Sequence, residues 1–418
     1  MVNGVNYPKS LNKLANRPVP SNPLGCQNNL MDITLSSDHR AIEENVGRIV
    51  ARFGDDYWTE CDQKPRFPHE FHKAMADAGW LGITMPVELG GAGLGVTEAA
   101  IMMQAVSRGG GGYAAASSIH LNIFGPHAIV VHGSEEQKQR MLPPLIKGEQ
   151  KACFGVTEPN AGLDTTSIET FARRTNDGYI MRGRKIWTTT AQEADKILIL
   201  ARTAKKADGK KPTDGMTLFY TDLDRSKIEV RRIPKMGRAA VDSNTVFIDD
   251  LFVPDADRIG EEGKGFRILL DSLNPERILI AAEAVGLGRD ALARGAKYAR
   301  ERIVFGRPIG QNQGVQHPLA ESWMALESAW WLCLRAAALY DSKQPCGAEA
   351  NAAKFLAARA AFDACTRSMM THGGMGYAKE YQVERLLRES MIPRIAPVSE
   401  QLILSFIAEN VLDLPKSY

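Results

Sequence analysis

This chain is short of the residues that mark several common chemistries. Cysteine is scarce: Cys26, Cys61, Cys153, Cys333, Cys346 and Cys365 are scattered over 418 residues with no C-x-x-C pair. That spacing excludes a zinc ribbon or a redox dithiol. With no signal peptide, the six read as free thiols in a reducing compartment. An excess of one charge is missing too. Fifty-one Lys and Arg face 49 Asp and Glu, a net charge of +2 with both signs spread along the chain. Nothing in that balance favours nucleic acid or an acidic membrane surface as a partner. No apolar run approaches the roughly twenty residues that span a bilayer. His120, His127 and His132 fall in one region without a metal-like cluster, so each reads as a core or surface histidine. A soluble intracellular protein is expected, cytoplasmic unless its first residues are a transit peptide for the mitochondrial matrix.

What the chain does have is bulk and a change of period. Its hydrophobic share of 44% is enough for two or three domains with substantial cores. Residues 1–34 read as a disordered extension. They are rich in Asn and Pro, the first thirty contain no Asp or Glu, and Met31 makes a natural start for the folded part. From a cap at Ser36 or Ser37, Ile42, Val46, Ile49, Val50 and Phe53 recur at helical spacing. Further helices are expected near 68–79, 96–108, 115–132 and 134–147, giving an N-terminal helical domain over 35–150. Met85 to Gly93 interrupts it as a Gly-rich loop that lacks the GK of a phosphate cradle. Residues 151–260 switch to strands: a hairpin from Phe171 to Trp187 across Asn176-Asp177-Gly178, then 197–202, 216–221, 228–233 and 245–253. This is expected to be a small antiparallel β domain. Gly260 to Gly265 leads out of it into 261–418, an Ala-rich bundle with helices near 266–302, 316–341, 348–371, 380–390 and 399–412. Trp323, Trp330 and Trp331 belong there to core or subunit interface. The order α, β, α makes the fold class α+β.

The stretch with the most chemistry joins the first helical part to the strands. Gly155-Val156-Thr157-Glu158-Pro159-Asn160-Ala161-Gly162-Leu163-Asp164-Thr165-Thr166-Ser167 packs a Thr, a Gly turn, an Asp and a run of hydroxyls into thirteen residues. Backbone amides and hydroxyls in such a loop can lie along a polar ring edge or a diphosphate, though an ordinary strand exit has the same composition. Some twenty residues later Lys185-Ile186-Trp187-Thr188-Thr189-Thr190 places an aromatic and three hydroxyls on a strand. Together the two stretches resemble the acyl-CoA dehydrogenases, whose first signature reads close to G-[LIVM]-[ST]-E-x-x-[AG]-G-[ST]-D and is followed by K-x-W-I-[ST]. The departures are Leu163, where the family usually has Ser or Thr, and Thr188, where it usually has Ile. Arg302-Ile303-Val304-Phe305-Gly306 with Gln313 resembles the family's R-x-x-F-G…Q element. His372-Gly373-Gly374-Met375-Gly376-Tyr377, followed by Glu384 and Arg388, resembles its second signature, with Met370 in place of the usual Gln. The three elements, in order, span nearly all of 35–418.

The resemblance implies the acyl-CoA dehydrogenase fold: an N-terminal α-helical domain, a middle β domain and a C-terminal α-helical bundle. It also implies FAD as cofactor, an acyl-CoA thioester as substrate and a place in fatty acid metabolism. An electron-transfer flavoprotein is the implied acceptor, and a homotetramer the implied assembly, because the cofactor site is shared between subunits. Thr157, Trp187 and Thr189 would contact the isoalloxazine, and Val156, Gly162, Leu163 and Phe305 would also bind FAD. Arg302, Gln313, Gly373 and Gly374 would contact its diphosphate–adenosine part, Arg302 and Gln313 on FAD held by a neighbouring subunit, joined by Ser399 and Gln401 from the tail. An Arg suits that task because its planar fork pairs two phosphate oxygens.

Oxidation of a thioester between Cα and Cβ needs a carboxylate to take the α-proton while hydride leaves Cβ for flavin N5. Most of the family carries that Glu after the second signature. Counting forward from Gly374, this chain has Ala396-Pro397-Val398-Ser399, and Pro397 offers neither carboxylate nor N–H. A branch with isovaleryl- and long-chain-type enzymes places the Glu on the helix that opens the C-terminal domain. The matching stretch is Asn274-Pro275-Glu276-Arg277, so Glu276 is the expected base, with Arg277 beside the substrate and Glu400 in reserve. Three alternatives stay open: Glu276 and Arg277 as a solvated pair at an Asn-Pro helix start, a flavin oxidase or monooxygenase on the same fold, and a non-catalytic partner subunit.

Overall fold

The computed structural model describes residues 35–123, 125–205 and 211–416. The expectations for the N-terminal extension and for Met31 fall outside that range. Helix α1 (Ser37–Val50) starts where the sequence offers a cap, with the Ser36 hydroxyl accepting from the His39 N–H. It is followed by α2 (Asp55–Gln63), a short, mostly polar helix that periodicity did not reveal, then α3 (His69–Asp77) and α4 (Val96–Val106). Helix α4 is buried along nearly all its length, as expected of a helix that is apolar all round. The expected single helix over 115–132 is two, α5 (Gly112–Ile123) and α6 (His127–His132). Gly125-Pro126 falls between them, and Pro disfavours helical backbone in the residue before it. Helix α7 (Glu135–Ile146) opens with a capping box between Ser134 and Gln137. The glycines at 109–112 are tightly packed. Gly110 has φ +90, and a Cβ on Gly111 would come within 2.6 Å of the Trp58 ring.

Eight strands follow: β1 (Ala152–Gly155), β2 (Phe171–Arg174), β3 (Gly178–Thr189), β4 (Lys196–Arg202), β5 (Met216–Asp222), β6 (Ile228–Arg232), β7 (Ser243–Pro254) and β8 (Arg258–Ile259). They form one sheet in the order β6-β7-β3-β2-β4-β5-β8, with β1 paired to β4. Most neighbours are antiparallel as expected, but β4 runs parallel to both β1 and β2, so the sheet is mixed. The reason is topological. Strand β1 enters from the helices and its partner arrives only after the 155–170 loop and the β2–β3 hairpin, a long crossover of the kind parallel pairing requires.

Helix α8 (Gly265–Glu301) runs 37 residues, passes through Pro275 without ending, and packs against α4, α9 (Gln313–Asp341) and α10 (Gly347–His372). Between α8 and α9 a small hairpin pairs β9 (Ile303–Val304) with β10 (Arg307–Pro308). The tail adds α11 (Val383–Ser390), α12 (Ile392–Ile395) and α13 (Glu400–Asn410). Trp330 is buried in the bundle, whereas Trp323 and Trp331 are exposed. Two stretches, Val96–His132 and Val383–Asn410, are apolar and long enough by length and composition to cross a membrane. The first is mostly buried in the core; the second is broken between α12 and α13 and carries the Arg385–Glu389 ion pair.

Candidate active site

The first signature and the strand after it are tied by one buried ion pair. Glu158 accepts hydrogen bonds from the Glu169 N–H (2.6 Å) and the Thr170 N–H (3.0 Å), and Lys185 Nζ lies 2.7 Å from its Oε1. Burial works against that carboxylate's charge, but the field and hydrogen bond of Lys185 prevail and hold its pKa below the usual range. Lys185 also donates to the Val156 carbonyl at 3.1 Å, and the Ile186 N–H donates to the Thr157 carbonyl at 2.9 Å. The loop 156–167 is therefore clamped along β3. Opposite β7, β3 carries an irregularity between Lys185 and Thr188, and Trp187 adopts φ +60 there. A bulge of this kind re-aims side chains. Lys185 ends buried while Trp187 stands out, 56% exposed.

The Thr166 and Ser167 hydroxyls of the loop are spent within it, each donating to the Asp164 carboxylate at 2.5 Å. The Thr157 hydroxyl bonds to no described residue. Gly162 takes φ +42, a conformation that favours glycine, and Leu163 is 61% exposed beside it. A Leu there gives up the hydroxyl the signature usually supplies, leaving its backbone N–H as the polar group. Thr189 lies farther along β3, and its Oγ1 accepts from Arg238 at 3.3 Å.

Helices α8 and α5 bring together four ionisable groups, Glu276, Arg277 and Glu283 from α8 and His120 from α5. Glu276 lies well inside α8, not in a first turn, so the reading as a solvated helix-start pair is corrected: the helix already runs from Gly265. No described side chain hydrogen-bonds its carboxylate. Desolvation raises its pKa to about 7, against the fields of His120 and Arg277. Arg277 donates to the Asn274 side chain at 3.1 Å. Two turns along the same face, Glu283 accepts from His120 Nδ1 at 2.6 Å with both residues buried. Burial opposes charge on His120, but Glu283's field and hydrogen bond raise its pKa above the ordinary imidazole value.

The reserve carboxylate is differently placed. Glu400 is bound by Arg394 (2.6 and 3.2 Å) and by Arg359 (3.3 and 3.2 Å). The hydrogen bonds from Arg394 hold its pKa below the usual carboxylate range, against burial. Ser399 spends its hydroxyl capping α13, accepting from the Leu402 N–H at 3.3 Å, and Gln401 is exposed.

The remaining candidates lie elsewhere in the chain. Arg302, Phe305 and Gln313 are exposed on the hairpin after α8 and at the start of α9, with Phe305 fully so. Gly373 and Gly374 sit at the end of α10, and a Cβ on either would meet nothing within 4 Å. The two sets share one end of the bundle, since Tyr298 and His372 stack with ring centroids 4.3 Å apart. From Glu276 to Tyr298 is 22 residues of continuous helix, or about 33 Å at 1.5 Å per residue. Glu276 and the group at Arg302, Phe305, Gln313, Gly373 and Gly374 thus lie at separate stations along α8. An Arg free of side-chain partners among the described residues, open glycines and an exposed aromatic suit the diphosphate end of a dinucleotide. The clamped loop and Trp187 suit its ring.

Sequence reasoning passed over Arg238, His120 as a partner of Glu283, and Ser117, which accepts from Arg238 at 3.0 Å. Nothing in their local patterns marks them.

The family models for the N-terminal, middle and C-terminal domains of acyl-CoA dehydrogenase match residues 36–149, 153–251 and 263–412. Over 396 residues the chain is 33% identical to a protein of Mycobacterium tuberculosis named acyl-CoA dehydrogenase FadE12, covering 92% of this chain and 98% of that one. A structure titled as the FAD complex of PigA superposes with a TM-score of 0.86 at 27% identity, covering 91% of this chain and 99% of the other. The butyryl-CoA dehydrogenase of Megasphaera elsdenii gives a TM-score of 0.85 at 28% identity, over 91% and 100%.

Proposed function

The chain belongs to the acyl-CoA dehydrogenase family of FAD-dependent oxidoreductases, and from that premise we propose that it oxidises an acyl-CoA thioester to its trans-2-enoyl-CoA with Glu276 as the base. The observation that carries the reading is the state of that carboxylate. It has no hydrogen-bond partner among the described residues, and burial lifts its pKa to about 7. A carboxylate so placed gains basicity and is half-ionised near neutral pH, the condition for general-base catalysis. Bound FAD would supply the hydride acceptor. The protein's own work is positional. Glu276 on rigid α8 takes the α-proton, and Arg277 bears on the charge of that carboxylate. The Glu158–Lys185 clamp fixes Thr157 and Leu163 against Trp187 and Thr189 so that a ring is held in one plane.

The separation along α8 supports a shared cofactor site. About 33 Å of helix is longer than an extended dinucleotide, so Arg302, Phe305, Gln313, Gly373 and Gly374 serve FAD bound by a second copy. A homotetramer, an electron-transfer flavoprotein acceptor and a role in fatty acid metabolism complete the proposal.

The test is anaerobic titration of the purified yellow protein with acyl-CoAs graded in length and branching. Bleaching of the flavin band by one or more of them, lost in Glu276→Gln, is the expected result. Bleaching that survives Glu276→Gln removes Glu276 as base. A yellow protein that no acyl-CoA bleaches favours an oxidase, a monooxygenase or a non-catalytic partner subunit.

A further inference from the structure

Glu276, Ile280, Glu283 and Leu287 recur at helical spacing and form one stripe along α8. Helix α5 covers that stripe, and three contacts fix how it lies. A Cβ on Gly112 would come within 3.2 Å of Leu287 Cδ1. The Tyr113 hydroxyl donates to the Ile280 carbonyl at 3.0 Å, and His120 Nδ1 lies 2.6 Å from Glu283 Oε1. Beyond them, Ile123 shares a cavity wall with Pro275 and Leu279. The start of α5 meets the late residues of the stripe and its end meets the early ones, so the two helices run antiparallel.

That register gives His120 its height. Counted from the contact of Gly112 with Leu287, His120 comes level with Leu279. It is then about 4.5 Å along the axis from Glu276 and about 6 Å from Glu283. The two carboxylates are seven residues apart, which puts them about 20° apart around the helix and about 10.5 Å apart along it. His120 therefore stands between two acids on one face, with its Nδ1 committed to Glu283. Glu283 is buried and its second oxygen, Oε2, is enclosed without a partner among the described residues. Its charge thus rests on His120, and a buried anion so paired keeps the imidazole protonated. The fields of Glu283 and Glu276 favour that proton, against burial and Arg238 from the turn between β6 and β7. On Glu276 the fields that favour ionisation come first from His120, then from Arg277 on α8 and Lys354 on α10, while Glu283 opposes it together with burial. The pair is neutral as a whole, but its positive end is the nearer one, and Coulomb energy falls with distance.

We propose that His120 is a positioning residue for the reaction: kept cationic by Glu283, it is the fixed counter-charge that α5 holds against the carboxylate of Glu276. This rests on the reading of Glu276 as the base. An acyl chain that closes the site removes water from that carboxylate and favours its protonated form. A cation built into the opposite helix keeps the base ionised when the substrate is seated.

The test uses FAD-loaded full-length protein as parent, Glu276→Gln, His120→Lys, and the double variant His120→Gln with Glu283→Gln. The double variant removes both charges of the pair, so no buried ion is left alone. The infrared carbonyl band of a protonated carboxyl that vanishes in Glu276→Gln is followed over pH without substrate. kcat/KM for butyryl-CoA and octanoyl-CoA is measured over the same range. In the double variant the midpoint of Glu276 should rise by about one pH unit, a tenfold loss of ionised base below it. His120→Lys, which restores a cation, should bring the midpoint back to the parent value. A double variant whose infrared midpoint equals the parent's would overturn the proposal even if it is less stable or slower, because the pair then only packs. The parent protein gives a second reading that needs no variant to fold. By nitrogen NMR, His120 should keep its proton past the pH at which Glu276 ionises, and an imidazole that loses it first also overturns the proposal. Flavin reduction that persists in Glu276→Gln removes the base assignment instead, and leaves the infrared midpoints readable.

Discussion

Glu276 and Glu400 are the two carboxylates near the expected active site that the sequence left in competition, and the fold treats them in opposite ways. Glu400 opens α13 at a point where Arg394 lies six residues back and Arg359 faces it from α10. Its charge is satisfied in place and its pKa is held down. Glu276 stands inside α8 with no hydrogen-bond donor on its carboxylate among the described residues, and desolvation pushes its pKa to about 7. The same side chain is a structural anchor in one region and a poised base in the other. The difference lies in how many donors the backbone brings to it. Burial alone does not separate them, since both are largely withdrawn from water.

The largest expected effect tests the poised side. Glu276→Gln keeps shape and removes the proton acceptor, so the anaerobic rate of flavin reduction should fall by roughly 10²–10⁴-fold, with FAD content unchanged. Retention of rate would erase the contrast. Next in size is a variant that breaks an anchored carboxylate outright. Lys185 is fully buried against Glu158, and Lys185→Met leaves that carboxylate enclosed with only backbone donors. A loss of about 3 kcal/mol, read by denaturant unfolding, is expected from a buried charge left unpaired. Loss of FAD should accompany it, because the 156–167 loop is no longer clamped. Smaller again is Glu400→Gln. Arg359 is half-exposed and Arg394 about a third exposed, so water recovers much of what they lose. The cost should be about 1 kcal/mol, and flavin reduction should stay within about threefold of the parent protein. A collapse of activity in this variant instead would return Glu400 to candidacy.

Much of this contrast was present in the sequence, but not the part that decides it. The order of helices, strands and helices followed from period, and Pro397 at the usual base position directed attention to Glu276. That Glu276 lies inside a helix was harder to see, because Asn274-Pro275 looks like a start. Only the continuous packing of α8 against α4 and α10 shows that the helix carries the proline. Strand β1 is four residues long and pairs with β4, reached forty residues later, so no local signal sets its direction. Arg238 was invisible for a related reason. In Lys235-Met236-Gly237-Arg238 it is one more basic residue in a polar turn, and its setting is created by Ser117 and Thr189, which are remote in sequence. Local pattern reports faces and caps; which charges are left without partners is a property of the assembled interior.

The finest test of the comparison is its pH dependence. A general base works when deprotonated, and the folded-state pKa of Glu276 is raised from 4.5 to about 7. Below that value the fraction of ionised base falls tenfold per pH unit. kcat/KM should therefore rise with pH, pass half-maximum near pH 7 and level off above it, since this ratio reports the free holoenzyme. The stability linkage has its own sign. Because the folded-state pKa is raised, Glu276 binds its proton more tightly folded than unfolded. Its contribution favours the folded state fully below about pH 4.5 and is lost as pH rises through about 7. Activity and this contribution to stability thus move in opposite directions across one window. Glu400, with its pKa lowered, gives neither effect there, so Glu400→Gln should leave the midpoint of the rate profile in place. A midpoint near pH 4 in the parent protein would mean that Glu276 is solvated or paired like Glu400 when the holoenzyme is assembled, and the distinction between the two carboxylates would then rest on position alone.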